Sequence, residues 1–262
     1  FFKQKTAYEI RNCDWSSDVC SSDLGLVTLS GTIIRVVESQ EQIATNTIVD
    51  TIEEQSILEE MLEATKPSLA RGGDEQLHYL LSTPFRYPPL EWGSRFGSRT
   101  EPSLFYGSQQ MTTALYETAY YRFIFWMGME IPPSKNLTTQ HTMFRVGYRT
   151  KYGVKLHRAP YSAYKELIQS PKDYQATQQL GTALRDAGVE AFEYCSARDL
   201  EHGINVALFN STPFIAKDPQ ERSRWICETD GEQVVFINEQ NEWYQYPISL
   251  FELDGKLPLA VV

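Results

Sequence analysis

Arginine, tyrosine, glutamate and serine residues that could do chemistry together are concentrated in three segments of the chain. These read FRYPPLEWGSRFG (residues 85–97), EPSLFYGSQQMTTALYETAYYR (101–122) and EYCSARDLEHGINVALF (193–209). Guanidinium groups form paired hydrogen bonds with phosphate oxygens, and tyrosine rings offer a surface for stacking. A carboxylate stabilises the positive charge that develops on a sugar when a glycosidic bond breaks. Such residue types suit a site that binds a phosphorylated, ring-containing molecule and cleaves a glycosidic bond.

The overall charge restricts the partners that such a site can serve. The 262 residues carry a formal net charge of −10. An acidic surface repels phosphate backbones, so we expect no direct nucleic-acid binding. A local pocket of arginines is still compatible with a small anion. The chain has no apolar run of about 18 residues and no basic-then-apolar leader, so we expect a cytoplasmic protein that does not bind a membrane.

The sequence lacks the short motifs of several common enzyme classes. It contains neither GxxxxGK[ST] nor GxGxxG, the signatures of a P-loop and of a dinucleotide-binding turn. It also contains neither GxSxG nor HExxH. Its four histidines are not spaced as metal ligands, and its four cysteines form no CxxC pair. We therefore predict no metal site.

Short strands mixed with a few helices are predicted to position the three segments. The prolines predict an extended stretch at residues 85–89. Helices are predicted at 111–127 and from about 171 to 187, where Gly188 ends the second one. The predicted strands lie at 104–106, 141–148, 153–157, 189–194 and 204–209, followed by a hairpin of 233–237 and 242–246. This pattern indicates an α+β fold rather than an alternating βαβ sheet.

The N-terminal third differs from the rest of the chain. Residues 1–24 resemble a translated sequencing-adapter sequence, so we exclude them from the fold as an artefactual, disordered tail; a genuine disordered tail is the alternative. Residues 34–66 show apolar positions at helical spacing, and a short helix is predicted at 75–81. Residues 25–82 are therefore interpreted as a helical N-terminal extension, and residues 83–262 as the main domain.

In their order, the three segments resemble the RES domain, which is named for its Arg, Glu and Ser. The resemblance extends from about residue 83 to residue 213. Its members are toxins of bacterial toxin–antitoxin pairs, and their fold is similar to that of mono-ADP-ribosyltransferases. The resemblance thus implies a split β-sheet with flanking helices and NAD as the substrate. It also implies neutralisation by an Xre-type helix-turn-helix antitoxin.

The resemblance also assigns site residues. The catalytic residues would be Glu117, which stabilises the ribosyl cation, and the family arginine, Arg86. NAD-binding residues would be Arg86, Tyr87, Arg95, Tyr106 and Ser196. Many members read Gly-Gly-Arg-Trp-Asn around the second arginine, whereas this chain has Gly-Ser-Arg-Phe-Gly at 93–97. Any contact made by that asparagine is therefore in doubt.

Several alternatives stay open at this stage. Each site residue taken alone has an ordinary interpretation, as a surface arginine, a strand-core tyrosine, an exposed helix glutamate or a loop serine. Ser196 either binds the ribose or holds Glu117. Water, inorganic phosphate or a protein side chain could accept ADP-ribose, and a homo-oligomer is not excluded. The alternative function is an inactive module that binds NAD or a protein.

Overall fold

A computed structural model describes residues 25–39 and 77–259, together with positions 51, 54, 57 and 61. The strands are β1 (Val27–Glu38), β2 (Phe105–Ser108), β3 (Leu137–Lys155), β4 (Ala191–Cys195), β5 (Ile204–Leu208), β6 (Glu221–Thr229), β7 (Gln233–Asn238) and β8 (Trp243–Pro247). The helices are α1 (Tyr79–Arg86), α2 (Met111–Met127), α3 (Lys165–Ile168) and α4 (Gln175–Asp186), with 3₁₀ turns at Tyr161–Tyr164 and Ile248–Leu250. Within these ranges no helix is both long and apolar enough to cross a membrane.

All eight strands belong to one sheet in the order β1-β2-β5-β4-β3-β6-β7-β8, and β1 also pairs with β3. Strand β3 is 19 residues long. One of its edges pairs with β1. On the other edge, β6 pairs with residues 137–145 and β4 pairs with residues 153–155. The sheet is therefore split beyond β3, and the α+β prediction is confirmed.

Strand β1 corrects the helical interpretation of the N-terminal extension. Residues 34–38 were assigned to a helix, yet Val27–Glu38 forms a strand that pairs antiparallel with β3, from Val27 opposite Gly153 to Glu38 opposite His141. Its β-branched residues favour a strand, and the pairing partner lies too far along the chain for a local pattern to reveal it. The tail 1–24 and most of the predicted helix at 40–66 lie outside the described residues.

Helix α1 and strand β3 also differ from the sequence predictions. Residues 85 and 86 were predicted to be extended, but α1 continues through Pro84 to Arg86. Proline removes one helical N–H bond there; the helix is held by buried Leu80 and Leu81 and by the His78 side chain, which accepts from the Leu80 N–H. The predicted strands 141–148 and 153–157 are a single strand, because β1 pairs along most of its length.

Several other predictions are confirmed. Helix α2 has the predicted bounds, and its buried residues pack with those of β6, β7 and β8 in one hydrophobic cluster. Strands β7 and β8 form the predicted antiparallel hairpin. Helix α4 ends just before Gly188, whose φ of +76° is one that glycine adopts readily.

Helix α4 holds the loop that carries Arg95. The Gln178 side chain donates from Nε2 to the carbonyl oxygens of Trp92 at 3.1 Å and Ser94 at 2.9 Å. Gly181 allows this close approach, because a Cβ atom at this position would lie 1.9 Å from the carbonyl oxygen of Phe96. The lack of a side chain at Gly181 thus sets the distance between α4 and the arginine loop.

Substituting Gly181 by alanine should destabilise the protein. Alanine in a helix is ordinarily favoured over glycine by about 1 kcal/mol. Here the clash with backbone should outweigh that gain, with a net loss of about 1–3 kcal/mol, as for other overpacked sites. Denaturant unfolding would measure the change, and Gln179→Ala on the exposed face of α4 is the matched control. An unfolding free energy equal to or above wild type in Gly181→Ala would contradict this account.

Candidate functional site

A cavity of about 320 Å³ lies between β1, β2 and helix α2. Its walls also include the 93–97 loop and the side of the sheet that carries β4 and β5. Among the residues assigned from sequence, Arg95, Tyr106 and Glu117 line this cavity. Tyr194 and Asn205 of the third segment line it as well, so all three segments meet at one site.

Glu117 is held by hydrogen bonds to a single carboxylate oxygen. Its Oε1 atom accepts from the Ser196 hydroxyl and from Nδ2 of Asn205, each at 2.6 Å. Both donors are almost completely buried, whereas Glu117 itself is only partly buried and lines the cavity. This contact corresponds to the second of the two roles left open for Ser196, that of holding the glutamate.

The loop that carries Ser196 is itself fixed. The Ser196 Oγ atom accepts from the backbone N–H groups of Arg198 and Asp199 at 3.0 Å. The Asp199 Oδ2 atom accepts from the Thr113 hydroxyl at 2.7 Å and from the Gly203 N–H at 3.2 Å. A Cβ atom at Gly203 would lie 2.0 Å from Thr113 Oγ1. Only glycine fits there, so the loop lies directly on the first turn of α2.

Arg95 is a buried residue with its guanidinium turned toward backbone carbonyls. Its NH1 group donates to the carbonyl oxygens of Ser170 at 2.7 Å and Ile168 at 3.3 Å. The guanidinium also lies 4.5 Å from the ring centroid of Tyr174. Burial opposes the charge, but nearby groups, with Tyr174 first and Glu117 among them, raise the pKa of Arg95. Arg95 is therefore a fixed cation in the cavity wall.

Tyr106 ties the arginine loop to β2. Its hydroxyl lies 2.9 Å from Ser94 Oγ and accepts from the Phe96 N–H at 3.2 Å. Burial raises the pKa of Tyr106 to about 12 and raises the pKa of Tyr194, another lining residue, well above its ordinary value. Both hydroxyl groups therefore stay protonated at physiological pH. The two side chains offer aromatic surface to a ligand and cannot act as bases.

Arg35 on β1 is a lining residue that the sequence analysis missed. Its guanidinium donates to the Tyr106 carbonyl oxygen at 2.9 Å and lies 4.8 Å from the ring centroid of Phe105. The described residues offer it no carboxylate, and burial lowers its pKa to about 10. It therefore remains a cation at neutral pH. A lone arginine within the apolar run Ile-Ile-Arg-Val-Val was the available signal, but that run was interpreted as helical.

Arg86 and Tyr87 are not among the residues that line the cavity. They lie at the end of α1, which packs through Phe85 against the rings of Phe105 and Phe214. Their roles in binding and catalysis stay predictions. Within the described ranges, no group of three or more His, Cys, Asp or Glu residues is arranged to hold a metal ion.

Comparison with known proteins identifies the family of the chain. A family model for the RES domain matches residues 69–230. This is more than half of the chain, and the chain therefore belongs to the RES domain family. That family is in general NAD-related and toxin-like, and it is associated with toxin–antitoxin partners. A search of curated proteins finds no match.

Proposed function

We propose that the protein is a toxin-type enzyme that consumes NAD as its substrate and breaks the bond between nicotinamide and ribose. One observation carries this proposal. Glu117 lines the cavity, and its Oε1 atom accepts the hydrogen bonds of both Ser196 and Asn205. A fixed carboxylate beside an open cavity stabilises a ribosyl cation as it forms. Membership of the RES domain family supports NAD in particular.

The cationic groups of the cavity support a substrate with phosphate groups. Arg35 and Arg95 lie in the wall of the same cavity as Glu117, in a chain with a net charge of −10. Guanidinium groups bind phosphate oxygens through charge-assisted hydrogen bonds. Tyr174 and Tyr194 add aromatic surface on which a nicotinamide or adenine ring can stack.

The acceptor of ADP-ribose is identified by the product. Attack by water on the ribose carbon gives ADP-ribose, and attack by inorganic phosphate gives ADP-ribose 1-phosphate. Attack by a protein side chain gives a modified target that mass spectrometry detects. Incubating the purified protein with NAD, with and without phosphate, separates the first two. NAD binding with neither nicotinamide release by the purified protein nor ADP-ribosylated targets in a cell extract would instead support the inactive binding module and contradict an enzyme.

Substituting Glu117 by glutamine should abolish most turnover. Glutamine keeps the size of the side chain and removes the charge, so the rate of nicotinamide release should fall at least about a hundredfold, as when one electrostatic stabiliser is lost. NAD binding should change less, because the cation develops only in the transition state. Steady-state kinetics and calorimetric binding measure the two effects.

Folding of the Glu117→Gln protein should survive. Glutamine is nearly as good a helix former as glutamate, and its Oε1 atom can still accept from Ser196 and Asn205. Circular dichroism and thermal unfolding provide the control. A folded variant that releases nicotinamide at the wild-type rate would refute the role given to Glu117.

Arg35→Ala and Arg86→Ala together test which arginine binds the phosphates. Because Arg35 lines the cavity and Arg86 does not, Arg35→Ala should raise the KM at least about tenfold with a smaller change in kcat, as expected for a contact made in both ground and transition states. Arg86→Ala should leave the KM within about threefold of wild type. The reverse pattern would support the assignment of Arg86 made from the sequence.

The same proposal includes an Xre-type helix-turn-helix antitoxin as the partner, because uncontrolled NAD consumption would harm the host cell. DNA binding would then belong to the antitoxin, since the net charge of −10 disfavours DNA contact by this chain. Gel-shift titration of the purified chain with operator DNA should show no binding, and addition of the antitoxin should produce it. Binding by the chain alone, with a steep salt dependence, would contradict this division of roles.

A further inference from the structure

Asn205 is a buried residue that contacts the Glu117 carboxylate directly. It lies on β5 with 2% of its surface exposed, and its Nδ2 group donates to Glu117 Oε1 at 2.6 Å. A carboxylate rotates easily about its terminal bond. Ser196 donates to the same oxygen. The carboxylate plane is therefore fixed by two donors, one on β5 and one in the loop that follows β4.

Ser108 anchors the far end of the Asn205 amide, whose nitrogen points toward Glu117 because a carboxylate only accepts hydrogen bonds. The Ser108 hydroxyl donates to Oδ1 of Asn205 at 2.6 Å. The two residues lie directly opposite each other in the pairing of β2 with β5, and Ser108 is also 2% exposed. Cross-strand neighbours of this kind are within reach of one another's side chains. A flipped amide would place its oxygen against the carboxylate oxygen and lose the hydrogen bond to Glu117, so the amide is held with its nitrogen toward Glu117 and its oxygen on Ser108.

We propose that Ser108 and Asn205 are positioning residues for the reaction, acting through Glu117. The chain of donors runs from the Ser108 hydroxyl to the Asn205 amide and on to Oε1, which leaves Oε2 as the atom presented to the ribosyl cation. Small losses of orientation at a reacting group are costly to rate. This inference rests on the proposed function, because the cation is the species that Oε2 stabilises.

The first test replaces Asn205 by aspartate, which has the same shape but no amide donor. The kcat for nicotinamide release should fall at least about thirtyfold while the KM changes less than about threefold, because positioning acts in the transition state. Asn210→Asp is the matched control: Asn210 is exposed, and its Oδ1 atom accepts from the Thr212 N–H, which aspartate can also do. A kcat for Asn205→Asp within about threefold of wild type would overturn the proposal.

A second test uses Ser108→Ala, which removes the hydroxyl that anchors the Asn205 Oδ1 atom. The expected kcat loss is about tenfold, the equivalent of one hydrogen bond of about 1.4 kcal/mol, at an unchanged KM. This variant decides the matter if Asn205→Asp does not fold. An unchanged kcat in folded Ser108→Ala would overturn the part assigned to Ser108.

A third test exchanges the two groups in the double variant Glu117→Gln, Asn205→Asp. In Asn205→Asp alone, two carboxylates meet, so the Tm at pH 8 should fall by several degrees. In the exchanged protein a glutamine amide can donate to the new aspartate, so most of the Tm should return while kcat stays as low as in Glu117→Gln. A Tm for the exchanged protein no higher than that of Asn205→Asp would show that the two side chains do not interact.

The outcomes separate this inference from the proposed function. If the folded wild-type protein releases no nicotinamide, alone or in a cell extract that supplies protein acceptors, the proposed function fails, and the Tm values of the exchanged pair still decide whether Asn205 holds residue 117. If wild type is active and Glu117→Gln is not, but Asn205→Asp and Ser108→Ala retain wild-type kcat, the proposed function stands and the positioning inference fails.

Discussion

The antiparallel pairing of β1 with β3 is the constraint on which the site depends. It places β1 beside one edge of β3, while β4 and β6 take the other edge. It also brings Arg35 to the cavity wall and Glu38 to within 3.3 Å of buried Arg122 on α2. The helix that carries Glu117 and the strand that carries Arg35 are therefore held by the same long-range contact. Without β1, the cavity would lose one wall.

The charges of the cavity are unbalanced in a way that suits an anionic substrate. The NH1 group of Arg95 donates to two carbonyl oxygens and its NH2 group to the Tyr174 hydroxyl. Arg35 contacts a carbonyl and an aromatic ring. Neither forms an ion pair with a carboxylate among the described residues. Buried cations without such partners are costly in free energy. A ligand that brings two phosphate groups would offset that cost.

Local patterns in the sequence were sufficient for some features and not for others. Helix α2, the β7–β8 hairpin and the end of α4 were predicted because their signals are short-range: apolar spacing, turn residues and a glycine stop. Strand β1 was wrongly assigned because its partner lies more than one hundred residues away. Arg35 was missed for the same reason. The contact of Asn205 with Ser108 across two strands was not predictable without the register.

The tight contact at Gly203 bears on the entropy of binding. Loops at binding sites commonly pay for ligand contact by giving up conformational freedom. Here the glycine packs against Thr113, and Asp199 joins the loop to the same helix, so the segment behind Glu117 is already ordered. A substrate would meet a rigid carboxylate and would lose little affinity to ordering that side of the cavity. That side of the cavity therefore has its shape fixed during folding.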